Sequence, residues 1–180
     1  MSKNNVINRL TSGLQKINKN SIPENVIEIG KNCIIDTVGV TVAGSVTPSA
    51  KKIYFSAAET FKSGNCTILG SDKTLNAAGA ALTNGAAAHA LDFDDNCYAG
   101  IVHGSAVVLP TVLALAQESS LNGQELLISF IAGLEIQFGV AKAFSNGIYD
   151  RGWWTTSILG VLGSAASASK LLDLDTQATS

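Results

Sequence analysis

Asn84-Gly-Ala-Ala-Ala-His-Ala-Leu-Asp-Phe-Asp-Asp-Asn96, followed shortly by His103-Gly-Ser-Ala-Val-Val-Leu-Pro110, decides how this chain is read. The Ala and Gly run predicts a helix that can pack very closely against its neighbours, because no long side chain holds them apart. Its end carries His89, Asp92, Asp94 and Asp95, and the second histidine, His103, follows within a few residues. Polar groups at the edge of a dense core need partners or a purpose. Function is therefore sought here.

Working outward, the same small-residue, helix-period pattern recurs. Val6–Ile17 reads as an amphipathic helix. Ser21-Ile-Pro23-Glu24 reads as a start signal for a helix over Val26–Ala43, with Gly44 as its stop. Thr47-Pro48 opens a helix to Phe61. Ser63–Gly70 is too short and too Gly-bounded for a helix, so it is expected as a brief strand or extended loop. Lys73–Phe93 is expected to be helical by its Ala content. Ala106–Glu118 is an apolar helix with a kink or irregular first turn at Pro110. Asn122-Gly-Gln-Glu125 is a cap for Leu126–Phe144, Ser145–Gly152 is a loop, and Thr156–Leu172 is an Ala/Ser/Gly helix. Asp173 to Ala178 reads as a cap and the first turn of one more helix. Strand alternation is almost absent. The expectation is one all-α domain over residues 1–180, a multi-helix bundle packed through small residues.

Composition narrows the function classes. Of 180 residues, 46% are hydrophobic and only 14% charged, against about 25% charged in an average domain. The formal charge is −2, and no basic cluster exists to neutralise phosphates, which argues against nucleic-acid binding. Cys33, Cys66 and Cys97 form no C-x-x-C pair. Neither a zinc module nor a disulfide framework is indicated, and a reducing cytoplasmic setting fits. The N-terminus lacks the apolar core of a signal peptide. Thr74–Leu91, Asn96–Gln117 and Gly152–Ser169 carry no Asp, Glu, Lys or Arg. Each holds Thr, Asn, Ser or His, however, so buried helices are a better reading than membrane spans. No G-x-G-x-x-G, Walker A or G-x-S-x-G motif occurs, and no cofactor is expected.

Several side chains near the two histidines are candidates for chemistry. His89 and Asp92 share a face if the helix continues, so the carboxylate could orient the imidazole or both could line a pocket; a capped helix end with a satisfied core histidine is the bland alternative. Asp94 and Asp95 would point about 100° apart in a helix, either as a tuned acid pair or as solvated terminating acids. His103, flanked by Gly100 and Gly104, suits a proton shuttle. Amides at Ser105 could hold a carboxylate at the start of the next helix. A metal held by His89, Asp92, Asp94 and His103 lacks the usual ligand spacing, and none is expected. Trp153-Trp154 beside Arg151, one of only two arginines, could wall an anion pocket or simply pack at an interface.

Cys66-Thr-Ile-Leu-Gly70, the Asn84–Asp95 run, His103–Pro110 and Gly163–Asp175 together resemble the MmgE/PrpD family, in order and over nearly the whole chain. That family includes 2-methylcitrate dehydratase, cis-aconitate decarboxylase and iminodisuccinate epimerase. The resemblance implies a helical N-terminal domain, a homodimer, and a metal-independent site at the junction with an α/β lid domain. It further implies a chain that holds the first part of the helical domain and lacks both the lid and a later lysine. The implied reaction is proton transfer beside a carboxylate of a small di- or tricarboxylate, with dehydration, decarboxylation or reprotonation. His103 matches the histidine of the family's H-P-S segment and Asp92 the first aspartate of its acidic run, which makes these two the catalytic candidates. Asn96 falls where many members have threonine. With Asp95, His89, Arg151 and Trp154 it forms the expected substrate-binding set. Gly104 replaces the usual proline, and Trp154 stands where members commonly have a histidine. The alternative is a non-catalytic helical dimerisation module.

Overall fold

The computed structural model describes residues 6–180, apart from the side chains of Ser145 and Asn146. The N-terminal stretch read for a signal peptide therefore lies largely outside the described residues. Among the described residues eight helices follow in order: α1 (Val6–Lys16), α2 (Glu24–Gly44), α3 (Pro48–Thr60), α4 (Ala77–His89), α5 (Ser105–Glu118), α6 (Gly123–Tyr149), α7 (Thr155–Leu171) and α8 (Thr176–Thr179). Two short antiparallel strands, β1 (Cys66–Thr67) and β2 (Thr74–Leu75), pair Cys66 with Leu75 and Thr67 with Thr74. The fold is all-α, as the small-residue helical pattern predicts.

Side-chain caps fix the starts of α3, α4, α6 and α8. The Thr47 hydroxyl accepts from Ala50 N at 3.2 Å, Asn76 from Gly79 N at 2.9 Å and Asp175 from Ala178 N at 2.8 Å. Asn122 and Glu125 cap reciprocally: Asn122 Oδ1 accepts from Glu125 N at 3.1 Å, and Glu125 Oε2 accepts from Asn122 N at 2.8 Å. Two expectations need correcting. The helix expected from Lys73 begins only at Ala77, because Asn76 caps it and Thr74–Leu75 are taken by β1. The loop expected over 145–152 begins later, because α6 runs on to Tyr149. Pro110 lies inside α5 without ending it.

Small residues set the helix spacing. A Cβ on Gly44 would lie 2.0 Å from Ala87 O, and one on Gly133 would lie 2.7 Å from both Gly163 O and Ser167 Cβ. Thus α2 meets α4, and α6 meets α7, almost backbone to backbone. The main core joins Val108, Leu109 and Val112 of α5 to Phe130 and Ile131 of α6, with Ile27, Ile34 and Val38 of α2 against them. Among the described residues one helical segment, Gly123–Phe144, is apolar and long enough to cross a membrane by composition. It nevertheless contributes Phe130, Ala132, Gln137 and Ala141 to the fully buried interior. Asn84, buried on α4, accepts from Leu69 N and donates to Thr67 O, both at 2.9 Å, and so ties the strand loop to the helix that leads into the site.

Candidate active site

Helix α4 ends at His89. Just beyond it Asp92 has φ +55°, a left-handed turn that aspartate tolerates better than most residues. The chain leaves the helix axis there, so the expected facing of His89 and Asp92 along one helix does not arise. Asp94 meets His89 instead, with both carboxylate oxygens 3.0 Å from Nδ1. An isolated antiparallel bridge between Cys97 and Val102, with Cys97 N donating to Val102 O at 2.8 Å, then doubles the chain back. This returns His103 to the acids.

The Asp94 side chain is completely buried, and one of its oxygens lies 3.1 Å from His103 Nδ1. The two imidazoles stand edge to face with centroids 4.8 Å apart. His103 is 11% exposed, His89 41%. His103 Nδ1 is buried and off the line of a true hydrogen bond to the carboxylate, an ion-pair distance without ideal direction. A carboxylate on this side favours the tautomer with hydrogen on Nδ1 and leaves the Nε2 lone pair available. His103 Nε2 faces Asp92 Oδ1 at 3.8 Å, and Asp92 is 79% exposed. The ring thus has a buried carboxylate behind it and a solvent-facing carboxylate in front.

Asp95 turns the other way. Its Oδ1 accepts from Ser105 N at 3.0 Å, and its Oδ2 accepts the Ser105 hydroxyl. The preceding residue, Gly104, cannot cap α5 because it has no side chain. A Cβ there would lie 2.5 Å from Phe138 Cζ and 2.8 Å from Leu134 Cδ2, so any larger residue would require the ends of those two side chains to shift. Amides at Ser105 do bind a carboxylate as expected, but it is the chain's own Asp95. Asp95 therefore caps a helix rather than presenting itself to a substrate. Burial pushes the neighbouring Cys33 thiol above its ordinary value, and the negative charge of Asp95 adds to the effect.

The remaining candidates do not join this cluster. Asn96 and Arg151 are exposed, and neither has a side-chain hydrogen bond or ion pair among the described residues. Trp154, 52% exposed, precedes α7 as its N-cap. With His89, Val107, Thr156 and Gly160 it lines an open, mostly apolar groove of about 760 Å³ between α4, α5 and α7. His89, Asp92, Asp94 and His103 converge, Trp154 shares the groove wall with His89, and Asn96 and Arg151 are not brought to either. One ligand atom from each of the four converging residues lies within 4.8 Å of the others, a set of two imidazoles and two carboxylates able to hold one divalent cation. The 3.0 Å hydrogen bond to Asp94 already gives His89 Nδ1 a partner without one, whereas His103 Nδ1 lies 3.1 Å from the same carboxylate and makes no hydrogen bond.

Asp94, the centre of this arrangement, is expected from sequence only as one of an acid pair with Asp95 or as a member of a metal set that the ligand spacing disfavours, not as the carboxylate between the two imidazoles. Gln137, Thr155 and Thr156, which contact the His103 loop, lie in mostly apolar helical sequence without a motif that would single them out.

Three comparisons bear on this arrangement. Cis-aconitate decarboxylase of Mus musculus is 34% identical over 162 residues, 86% of this chain and 33% of its own length. That of Homo sapiens is 34% identical over 166 residues, 85% and 33%, and that of Aspergillus terreus is 27% identical over 180 residues, 96% and 36%. The chain spans about a third of the length of the curated relatives it matches. The family description "MmgE/PrpD N-terminal domain" matches residues 8–180. The chain thus belongs to the MmgE/PrpD family, through that family's N-terminal domain.

Proposed function

We propose that this chain supplies the helical part of a lyase-type site that acts on a small di- or tricarboxylate such as cis-aconitate or 2-methylcitrate. The shared step is proton transfer at carbon next to a carboxylate, followed by loss of carbon dioxide or water. One observation carries the reading: a mostly buried imidazole, His103, has a fully buried carboxylate 3.1 Å from one nitrogen and its other nitrogen directed toward the open rim. This is the arrangement a general base needs, with one nitrogen oriented and the other free for a substrate proton. The curated relatives printed as cis-aconitate decarboxylases support the substrate class.

In this reading the free base at His103 Nε2 takes the carbon-bound proton in dehydration and passes it to the leaving hydroxyl as water forms. In decarboxylation its protonated form, recharged from solvent, gives a proton to carbon as the bond to the departing carbon dioxide breaks. Asp94 orients the ring from behind. Asp92 is the rim partner that can relay the proton to solvent. Asn96 hydrogen-bonds substrate, Arg151 binds one of its carboxylates, and His89 with Trp154 forms the neighbouring wall. The protein works in the cytoplasm as a homodimer, in keeping with the exposed apolar side chains of Trp153, Trp154, Ile158 and Val161. Because the curated relatives are about three times longer, turnover belongs to the chain joined to the family's remaining portion. The test assays cis-aconitate and 2-methylcitrate turnover in such an assembly, with and without His103→Ala. General-base loss should lower kcat by roughly 10²–10⁴-fold. A loss below about tenfold removes His103 from the mechanism, and no turnover of any carboxylate by the parent leaves the dimerisation module as the function.

A further inference from the structure

We propose that Gln137 and Thr156 are positioning residues that aim His103, with Thr155 holding the strained turn ahead of it. Both backbone polar groups of His103 are taken by side chains distant in sequence. Gln137 Nε2 donates to His103 O at 3.2 Å, and His103 N donates to Thr156 Oγ1 at 3.1 Å. Two residues earlier the Thr155 hydroxyl donates to Ile101 O. Backbone groups in a surface loop ordinarily bond to water or to their own turn. Here α6 and α7 grip the loop instead.

Three features say that this grip has a purpose. Ile101 has φ +50°, a conformation that a β-branched side chain strongly disfavours and that persists only where its surroundings enforce it. Gln137 is 0% exposed, and its Oε1 is buried without a hydrogen-bond partner. An apolar residue of similar size would avoid that penalty, so the amide is kept for what its Nε2 holds. Finally, α7 is pared back to admit it, since a Cβ on Gly163 would lie 3.0 Å from both Gln137 Cβ and Oε1. The two helices that meet through Gly133 and Gly163 therefore also fix the direction of the imidazole toward Asp94. Significance for turnover rests on the reading of His103 as the proton carrier.

The experiment uses the 180-residue chain with ¹⁵N-labelled histidine, whose spectrum contains His89 and His103 only. Thr156→Val and Gln137→Leu should change the split between the Nδ1 and Nε2 resonances of His103, while Thr156→Ser restores the parent pattern. A purely structural role lowers the melting temperature of these variants yet leaves the His103 resonances where they were, and that result overturns the inference. If Gln137→Leu does not fold, the Thr156→Val and Thr156→Ser pair decides alone, because that hydroxyl lies at the groove wall. In the assembled enzyme the same Val variant should lower kcat at least tenfold with KM little changed. Resonances that shift while His103→Ala keeps full turnover would uphold the positioning and discard the catalytic reading.

Discussion

Replacing Asp95 with alanine separates a helix cap from a substrate ligand, and the structure supplies the magnitude. The carboxylate accepts from both the amide and the hydroxyl of Ser105, and Ser105 is 0% exposed. Loss of an N-terminal cap costs about 0.5–2 kcal/mol. Leaving the buried hydroxyl without its acceptor costs about 1–3 kcal/mol. Removing a negative charge from a helix N-terminus adds about 0.3–1 kcal/mol. These contributions overlap, so about 3 kcal/mol is the expected total, or about 6–12 °C in Tm for a chain of this size. Asp95→Asn retains an acceptor for the amide and should lose only about 1 kcal/mol. The assay is urea unfolding followed by helical circular dichroism, with the m value compared between variants. A cycle with Ser105→Ala should show coupling of at least about 0.5 kcal/mol. An Asp95→Ala variant within about 0.5 kcal/mol of the parent refutes the capping role and reopens Asp95 as a substrate ligand.

Gly44→Ala and Gly133→Ala, which would press a methyl group into Ala87 O and Gly163 O, should each destabilise by about 1–3 kcal/mol. Gly139→Ala, with nothing within 4 Å of the added carbon, should stabilise by about 0.5–1 kcal/mol; denaturant midpoints check both signs. Burial pushes the Cys33 and Cys66 thiols above their ordinary value of 9.0, so the unfolded chain releases these protons first. Stability should therefore fall as pH rises through and above that value, and Cys33→Ala with Cys66→Ala should flatten the decline. Asp95→Asn should also lower the Cys33 pKa, read as faster alkylation at pH 8, and an unchanged rate would contradict the charge coupling. Finally, treating the assembled enzyme with a chelator should leave turnover intact. Loss of activity restored by one divalent metal would instead make His89, Asp94 and His103 ligands.

The helical architecture was legible because its signals are local. Thr47, Asn122 and Asp175 announce helix starts through their own side chains, and the Ala/Gly run of α4 announces close packing. The start of α4 was missed because alanine content outweighed Asn76, whose capping bond opens the helix four residues later than expected. At the site, His89 and His103 were legible as the chain's only imidazoles. The division of labour among Asp92, Asp94 and Asp95 was not. It is set by the left-handed turn at Asp92 and by the Cys97–Val102 bridge, both of which depend on tertiary contacts. Gln137 was invisible for a related reason: a glutamine in a mostly apolar helix reads as a surface residue until the opposite helix is seen to lack a side chain at Gly163.

The Cys97–Val102 bridge has an engineering consequence. It closes the ends of the loop, and within it Gly100 is packed against Ala141 and Ile101 O is held by Thr155, so only Tyr98, at 87% exposure, and Ala99 stand outside the clasp. A few extra residues or a reporter dye placed between Tyr98 and Ala99 should leave the imidazole and acids undisturbed while sitting only a few residues from them. That junction is a ready attachment point for watching ligand arrival, and natural length variation there need carry no chemical meaning.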